Sequence, residues 1–339
     1  MLCAQYNKEK NLVLGEIDTP KINPNEALLK VNVCGVCGSD LVKIKQGLIK
    51  EGTVLGHEVV GTIIETGHLV RNWNKGQKIV VAHHVPCLSC HFCKSGNFSM
   101  CKQFKETNIF PGGFSEYIKV SKAHLDQTSF LIPKSTVSDV ELALTEPLAC
   151  CIRAVDKIDI TPSNTIIISG LGSIGQMLGM LCVEKGAHVI GIDLIEERLN
   201  LAKILNSCDQ AHKPNSEGLE SALRKKTDGR GVDLIFLSSG SDNALQESLK
   251  YIRPGGTIII FSSIPNNTGI TNNEIYYKEL NIKGCYSPSP TSLSKAFQMI
   301  ITGKIKLSKL VTDKVKLSEL PQEITKCLKS QSLKMMVIN

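Results

Sequence analysis

The fold is decided by Thr165-Ile166-Ile167-Ile168-Ser169-Gly170-Leu171-Gly172-Ser173-Ile174-Gly175. The first half of this stretch is an apolar, β-branched run, as in a strand that is buried on both faces of a parallel sheet. The Gly-x-Gly-x-x-Gly spacing follows at once and leads into an apolar helix predicted over 174–185. The stretch therefore predicts a strand, a tight turn and a helix, which together begin a doubly wound α/β domain.

The same alternation of strand and helix continues beyond residue 185. Apolar strands are predicted over His188–Ile192, Val232–Ser238 and Thr257–Ser262, with a helix over Glu196–Leu205 between the first two. Strands that are apolar throughout are typical of a parallel sheet covered by helices on both faces. We therefore expect a doubly wound α/β domain over residues 151–287.

The glycine motif predicts a dinucleotide site. Gly170 permits a tight turn, Gly172 lets the backbone approach a pyrophosphate, and Gly175 allows the helix to pack closely on the strand. Ser173 and Ile174 begin the helix, where unpaired N–H groups and the helix dipole favour negative charge. The alternative is a glycine-rich turn in an α/β domain that binds no nucleotide.

The choice of nucleotide depends on Asp193, which follows the second strand 18 residues after Gly175. Its carboxylate can accept hydrogen bonds from both ribose hydroxyls and would repel a 2′-phosphate, so NAD is favoured over NADP. Asp193 could instead cap the helix that follows. Arg198 is expected either to pair on its own helix or to lie near the adenine end of the cofactor.

Residues 1–150 have a different character. Short β-rich segments separated by Gly, Pro and Asn are found at Leu12–Ile17, Ala27–Val33, Val59–Ile64, Ile79–Val81 and Phe114–Val120. No long helical period occurs before about residue 138, so an irregular, mostly antiparallel β domain is predicted. Beyond residue 288 a helix over Leu293–Ile301 and a strand over Val311–Leu317 follow, and residues 288–339 are expected to return to this first domain.

Four cysteines of the first domain form a compact metal-binding pattern. Cys87, Cys90, Cys93 and Cys101 have the spacing C-x2-C-x2-C-x7-C. Four thiolates on so short a loop can bind one tetrahedral Zn²⁺ with no open position, which predicts a structural zinc on a lobe over residues 83–104. The alternatives are two disulfides or four unrelated core cysteines. An odd number of cysteines, thirteen in all, scattered over a long chain is not a disulfide framework.

A second set of possible metal ligands is spread over the first domain. Cys37 and His57 are a natural pair of zinc ligands, and a carboxylate would complete three and leave the fourth position for substrate or water. Glu58 and Glu146 are the candidate carboxylates. Adjacent residues on a strand point to opposite faces, so His57 and Glu58 can both ligate only with a local kink. Taken singly, these residues also fit a core cysteine, a loop histidine and a helix N-terminal acid.

Composition argues against several other classes of protein. Hydrophobic residues make up 42% and charged residues 21% of the 339 residues, which is typical of a globular protein of two domains. No stretch of 18 apolar residues occurs and the first ten residues contain no signal-peptide core, so we expect a cytoplasmic protein without a membrane partner. The net charge of +7 comes without aromatic residues interleaved among the lysines, which disfavours nucleic-acid binding.

Together, these motifs resemble the zinc-dependent medium-chain dehydrogenases, in the branch of sorbitol (polyol) and threonine dehydrogenases. The resemblance covers nearly the whole chain and is carried in order by residues 36–40, 56–58, the four-cysteine lobe, 112–117, 146–149 and 170–175. It implies a GroES-like catalytic domain with a Rossmann-type NAD domain. It also implies two zinc ions in each chain, one catalytic and one structural, and a homodimer or homotetramer.

The resemblance assigns roles to single residues. Cys37 and His57 match invariant ligands of the catalytic zinc, while Glu58 and Glu146 match acids that bind zinc directly or indirectly in some members. Ser39 matches the hydroxyl residue that takes the proton of the alcohol. The four lobe cysteines match the structural zinc site.

The chain departs from the family pattern at Val42, where many relatives have a histidine at the outer end of a proton relay. His84 corresponds to a histidine near the active site of threonine dehydrogenases. His83 and His84 could replace the missing relay residue or could line the substrate pocket, and His83 also fits a structural role.

The expected reaction is the reversible oxidation of a secondary alcohol to a ketone with NAD, and a polyol, sugar or cyclitol is the first substrate class. Threonine or another small alcohol is the alternative, supported by His84 alone. A primary alcohol is disfavoured because that branch typically has a cysteine in place of Glu146. A metal-free relative, acting as a quinone reductase or a non-enzymatic protein, is disfavoured because Cys37, His57 and both acids are present.

Overall fold

The computed structural model describes residues 1–134, 137–263 and 272–339. The chain divides into two compact units, of which the first is Met1–Ala149 with Pro288–Asn339 and the second is Cys150–Ser287. The first unit is thus built from both ends of the chain, and the second is one continuous segment. Within the described ranges, no helix has the length and apolar character needed to cross a membrane.

The strands form three sheets. In chain order they are β1 (Leu2–Tyr6), β2 (Leu12–Glu16), β3 (Ala27–Gly35), β4 (Glu58–Thr66), β5 (Lys78–Ala82), β6 (Tyr117–Val120), β7 (Ser129–Leu131), β8 (Thr165–Ser169), β9 (His188–Ile192), β10 (Gln210–His212), β11 (Val232–Leu237), β12 (Ile252–Ile260), β13 (Asn281–Gly284), β14 (Asp313–Lys316) and β15 (Met335–Ile338). The first unit has a ribbon of β1 and β2 and a sheet in the order β14-β15-β3-β4-β5-β7, with β6 also paired to β3. All of these pairings are antiparallel except that of β14 with β15.

Helices flank and connect these strands. In chain order they are α1 (Gly38–Gln46), α2 (His91–Lys94), α3 (Lys102–Glu106), α4 (Lys122–Gln127), α5 (Asp139–Leu142), α6 (Thr145–Val155), α7 (Ser173–Glu184), α8 (Glu196–Leu205), α9 (Glu217–Thr227), α10 (Asp242–Tyr251), α11 (Asn272–Tyr277), α12 (Pro290–Ile301) and α13 (Leu320–Leu328). Single 3₁₀ turns occur at Phe98–Met100, Ser308–Leu310 and Leu317–Glu319.

Strand β3 lies at the centre of the first unit. It is almost completely buried, because β4 pairs with one of its edges while β6 and β15 share the other. At its carboxyl end, Gly35 is opposite Glu58 of β4 and Met336 of β15. The start of β4 and the start of the last strand therefore meet beside the segment that leads to Cys37.

The second unit is a single parallel sheet in the order β10-β9-β8-β11-β12-β13. The isoleucines of β8 are buried because the strand has a neighbour on each side and helices on its faces. The strand order reverses between β8 and β11, and in open α/β sheets ligands bind at the carboxyl ends of the strands at such a point. The glycine motif lies there. The predicted fold class, a β-rich domain with a doubly wound parallel sheet, is confirmed.

Two differences from the sequence predictions concern the first unit. The predicted strand over Phe114–Val120 begins only at Tyr117, because the backbone N–H groups of Gly113 and Phe114 donate instead to the carbonyls of Gly56 and Leu55. The other difference is that β1, β7, β15 and α1 were not predicted. These elements are short and depend on pairing or packing with distant parts of the chain.

Candidate metal centres and cofactor site

The four lobe cysteines converge on one point. Their sulfur atoms all lie within 4.8 Å of one another. Cys93 Sγ is 3.6 Å from Cys90 Sγ and 3.9 Å from Cys87 Sγ. Sulfur atoms bound tetrahedrally to one zinc, each about 2.3 Å from the metal, are about 3.8 Å apart. The set therefore fits a Zn²⁺ ion, and since all thirteen cysteines are free thiols, the disulfide alternative is wrong.

The surroundings of the lobe shift the pKa values of its cysteines in opposite directions. The backbone N–H of Cys90 and the hydroxyl of Ser89 donate to Cys87 Sγ at 3.3 Å and 3.5 Å. These hydrogen bonds lower the pKa of Cys87 to about 5, and the hydrogen bond from Ser89 has the largest effect. Burial and the adjacent sulfur atoms raise the pKa of Cys93 to about 12. All four can be thiolates at neutral pH only beside a cation, so the lobe requires its metal.

A second cluster brings together Cys37, His57 and Glu58. One ligand atom from each lies within 4.8 Å of the other two. Cys37 is the N-cap of α1, and its sulfur accepts the backbone N–H of Ser39 at 3.5 Å. The sulfur therefore lies at the N-terminus of this helix, where the helix dipole is positive. Glu58 is the first residue of β4 and is completely buried, while His57 lies just outside that strand.

The backbone turns sharply at Gly56, immediately before His57 and Glu58. This glycine has a φ of 90°, and a Cβ atom there would lie 2.8 Å from the backbone nitrogen of Phe114. Because β4 begins only at Glu58, the alternation of faces does not extend to His57. The turn at Gly56 therefore lets both side chains approach Cys37.

Asp40 orients the histidine of this cluster. Its Oδ1 is 3.4 Å from His57 Nδ1, and its Oδ2 accepts the backbone N–H of Cys37 at 3.1 Å. This contact leaves Nε2 of His57 for a metal, as in carboxylate–histidine–zinc arrangements. Burial lowers the pKa of His57, but Asp40 and Cys37 together outweigh it and the net shift is well upward. Surroundings that attract a proton so strongly also attract a divalent cation, so the donor set and its charge fit zinc.

Lys334 is a residue of this centre that the sequence analysis missed. Its Nζ lies 2.6 Å from Oε1 and 2.5 Å from Oε2 of Glu58, and it donates a further hydrogen bond to the carbonyl of Val36 at 3.0 Å. The two side chains are 4% and 0% exposed. Lys334 is 276 residues from Glu58 in the sequence, so no local pattern marks the pair.

The remaining predicted residues of the first unit lie in distinct positions. Glu146 is buried in the first turn of α6 but is not a member of the three-residue cluster. Ser39 is exposed in the first turn of α1, two residues from Cys37. Val42, which replaces a histidine of many relatives, is 39% exposed on the same helix.

A row of histidine rings extends from the cluster. The centroids of His57 and His83 are 4.5 Å apart, and those of His83 and His84 are 3.9 Å apart. His84 Nδ1 lies 2.5 Å from the carbonyl oxygen of Thr107 and must carry the proton there, which leaves Nε2 as an acceptor. Burial lowers the pKa of His84 to about 4, so this ring is neutral at physiological pH. Burial likewise holds the pKa of His83 well below its ordinary value.

The glycine motif of the second unit has the shape of a phosphate cradle. Gly170 has a φ of 94°, and a Cβ atom on Gly175 would lie 1.8 Å from the carbonyl oxygen of Gly170. Gly172 is the N-cap of α7, and a Cβ atom there would meet no atom within 4 Å. The helix N-terminus, which begins with Ser173 and Ile174, therefore opens on free space that fits a pyrophosphate.

Asp193 lies directly against this motif. Its Oδ2 accepts the backbone N–H of Leu171 at 2.7 Å, and its Oδ1 accepts that of Ile195 at 2.9 Å. Arg198 Nη1 is 3.5 Å from Asp193 Oδ2, so the arginine pairs with this carboxylate. Each carboxylate oxygen retains acceptor capacity for a ribose hydroxyl.

The geometry of both units defines a class of protein: a zinc-binding β-rich domain combined with a dinucleotide-binding domain. Two family models match the chain, the alcohol dehydrogenase GroES-like domain over residues 23–129 and the zinc-binding dehydrogenase over residues 173–302. Sorbitol dehydrogenase of Bacillus subtilis (strain 168) is 31% identical, with 99% of this chain and 97% of that protein covered. The chain belongs to the zinc-containing medium-chain alcohol dehydrogenase family.

Other relatives differ in the substrate that they are named for. D-arabinitol dehydrogenase 1 of Uromyces fabae is 28% identical over 99% of this chain and 97% of that protein. L-threonine 3-dehydrogenase of Caldanaerobacter subterraneus subsp. tengcongensis is 31% identical over 83% of this chain and 81% of that protein. Among solved structures, a zinc-binding dehydrogenase from Sinorhizobium meliloti 1021 bound to NADP is 26% identical, with a TM-score of 0.86 over 100% of this chain and 99% of that chain.

These findings confirm the predicted family and reaction class. The first unit is the GroES-like domain and the second is the Rossmann-type domain of an alcohol dehydrogenase fold. The protein is a zinc-dependent alcohol or polyol dehydrogenase, an oxidoreductase that acts on CH–OH groups with NAD(P).

Two glycines of the cofactor motif offer a matched pair of variants. Gly172→Ala should leave thermal stability unchanged but weaken NADH binding by roughly tenfold, about 1.4 kcal/mol, because the methyl group occupies the phosphate cradle. Gly175→Ala should lower the free energy of unfolding by about 2 kcal/mol, because its methyl group collides with the Gly170 carbonyl. NADH fluorescence titration and calorimetry check the pair. Unchanged NADH affinity in Gly172→Ala would contradict the cradle.

Proposed function

We propose that this protein binds two zinc ions per chain and uses NAD to interconvert a secondary alcohol of a polyol, sugar or cyclitol with its ketone. The observation that carries the proposal is the cluster of Cys37, His57 and Glu58 beside the orienting carboxylate of Asp40. Three protein ligands leave a position for substrate, whereas the four sulfurs of the lobe leave none.

The roles in the first unit follow from the site. Cys37, His57 and Glu58 would hold the catalytic zinc, with Glu146 available as a nearby buried acid. When bound, zinc supplies Lewis-acid polarisation that lowers the pKa of a substrate hydroxyl. Ser39, exposed beside the metal ligand Cys37, takes the hydroxyl proton. His84, neutral and with Nε2 as an acceptor, can accept a hydrogen bond and line the substrate pocket, but with a pKa of about 4 it is too weak a base to replace the histidine absent at Val42.

NAD is the proposed cofactor because Asp193 lies where a 2′-phosphate would meet a buried negative charge. The ion pair with Arg198 shows that this carboxylate already has a cationic neighbour, which would otherwise be free to bind such a phosphate. The related structure bound to NADP means that family membership alone does not decide the cofactor, and Asp193 carries the argument.

Oxidation of threonine or another small alcohol is the second candidate, because one relative is named for threonine and His84 lies in the row of rings that begins at His57. The polyol class is favoured because the relatives named for sorbitol and D-arabinitol match nearly the whole chain. A homodimer or homotetramer in the cytoplasm remains our prediction for the assembly and its location.

A pair of cysteine variants tests the two metal sites independently. Cys37→Ser should lose one zinc per chain and reduce turnover by roughly a thousandfold or more, since several kcal/mol of charge stabilisation are removed. It should keep NADH affinity and the lobe metal. Cys90→Ser should instead lose the lobe zinc and unfold at a lower temperature. Metal analysis, NADH titration and calorimetry of both variants measure these effects.

The same measurements test the metal-free alternative. Wild-type protein that contains a single zinc, removable without loss of activity, would favour a metal-free relative. Near-normal turnover of Cys37→Ser would show that the cluster is not the catalytic centre.

The cofactor preference is tested at Asp193. Asp193→Asn removes the charge but keeps a hydrogen-bond acceptor for the glycine loop. The KM ratio of NADP to NAD should fall about tenfold or more, equivalent to about 1.4 kcal/mol, because Arg198 is released to bind the 2′-phosphate. Adding Arg198→Gln should remove that gain. An unchanged ratio in Asp193→Asn would contradict the assignment of NAD specificity to this residue.

The substrate class is tested by NADH absorbance with a panel of polyols, sugars, inositols and threonine. The proposal expects the highest kcat/KM for a compound that carries a secondary hydroxyl flanked by further hydroxyls. Preferential oxidation of threonine would establish the second candidate instead.

A further inference from the structure

Lys334 is unusual because a lysine is rarely so fully buried. Only 4% of the side chain is exposed, and its ammonium group contacts both oxygens of the Glu58 carboxylate and the carbonyl of Val36. Val36 immediately precedes the metal ligand Cys37. The ammonium group therefore touches the segments that carry two of the three candidate ligands.

Backbone hydrogen bonds fix the position of the main chain at Lys334. The N–H of Val36 donates to the carbonyl of Met335 at 2.9 Å, and the N–H of Thr312 donates to the carbonyl of Lys334 at 3.0 Å. The last strand, β15, then continues antiparallel to β3. Because its own carbonyl and that of Met335 are hydrogen-bonded, Lys334 cannot move away without breaking backbone hydrogen bonds of the first unit.

The opposite side of the Glu58 carboxylate is closed by Gly35. A Cβ atom on this glycine would lie 2.0 Å from Oε2 of Glu58. The carboxylate thus occupies the space that a side chain at position 35 would need, and the Lys334 ammonium lies within 2.6 Å of both of its oxygens. The absence of a side chain at Gly35 leaves space for the carboxylate, and the ion pair with Lys334 fixes its position.

The Glu58 carboxylate therefore faces two cationic positions at once. One is the ammonium group of Lys334, and the other is the point shared by the ligand atoms of Cys37 and His57. A negative charge that is attracted to both will lie closer to one when the other is removed. A buried carboxylate without its ammonium partner would be strongly destabilised unless another cation compensated it.

We propose that Lys334 is a positioning residue of the catalytic metal centre: its ammonium group competes with the metal for the Glu58 carboxylate, weakens this one ligand bond and so keeps the coordination of the metal exchangeable for substrate. The inference rests on the proposed zinc site at Cys37, His57 and Glu58. It leads to an opposed pair of effects: removal of the ammonium group should tighten metal binding and slow turnover.

The experiment replaces the metal of the three-residue site with Co²⁺, whose visible absorption reports the number and geometry of its ligands. Lys334→Met should shift the cobalt absorption band, bind the metal at least tenfold more tightly in chelator competition, and turn over at least tenfold more slowly. Lys334→Arg, which keeps the charge, should restore much of the wild-type spectrum and rate. Lys314→Met, an exposed lysine on β14, is the matched control and should change none of these quantities.

A double variant distinguishes positioning from a general structural role. In Glu58→Gln/Lys334→Met neither buried charge is left unpaired, so this protein should fold even if Lys334→Met alone does not. The change that Lys334→Met causes in the cobalt spectrum should disappear in the Glu58→Gln background, because Lys334 alters the ligand geometry through Glu58. A double variant whose cobalt spectrum still differs from that of Glu58→Gln would overturn the inference.

The remaining outcomes separate this inference from the proposed function. If wild-type protein takes up metal only at the four-cysteine lobe, the proposed catalytic zinc is wrong and the inference falls with it. If wild-type protein takes up two metals while Lys334→Met keeps the wild-type cobalt spectrum and affinity, the proposed function stands and the role of Lys334 is wrong. Weaker metal binding in Lys334→Met would also overturn the inference, since it predicts the opposite sign.

Discussion

Buried negative charge is the constraint on which the first unit depends. Asp40 and Glu58 are completely buried, and the sulfur of Cys37 lies beside them. Each uncompensated charge of this kind costs several kcal/mol in a protein interior. The structure offsets the two carboxylates in pairs: His57 faces Asp40, and Lys334 faces Glu58. A divalent cation completes this balance, so metal binding and the stability of the unit are linked.

Elements with a strong local signal were predicted best, whereas β10, β13, α9 and α10 of the second unit and several short elements of the first unit were not predicted. Strand β9 and helix α8 were predicted with the bounds that the structure has, because continuous burial and helical periodicity are local signals. Strands β15 and β1 contain fewer of the apolar, β-branched residues that mark β9. They form because distant strands supply their hydrogen-bond partners, and β15 pairs with a strand about 300 residues earlier. Helix α1 was also missed, since its nine residues contain only two buried positions.

The residues of the candidate sites likewise differ in whether a local sequence pattern marks them. The lobe cysteines and the glycine motif are local patterns, and the structure brings the members of each together. Strand geometry required a departure from regular alternation between His57 and Glu58, and β4 begins only at Glu58, so His57 lies outside the strand. Lys334 could not be found by this reasoning, because a lysine among apolar residues near the end of a chain reads as a solvated position. Only the register of β15 against β3 turns that lysine inward onto Glu58.

The two sites also differ in how much of the chain each one needs. The cofactor motif, Asp193 and Arg198 all lie in the continuous segment Cys150–Ser287, so the contacts that shape the phosphate cradle are complete within it. The metal centre needs both segments of the first unit, because the counter-charge of Glu58 is Lys334 of the segment Pro288–Asn339. Lys334 immediately precedes β15, so the pairing of this strand with β3 brings the ammonium group to the Glu58 carboxylate. The last strand therefore does more than join β14 to β3: it places the charge that competes with the metal for this carboxylate.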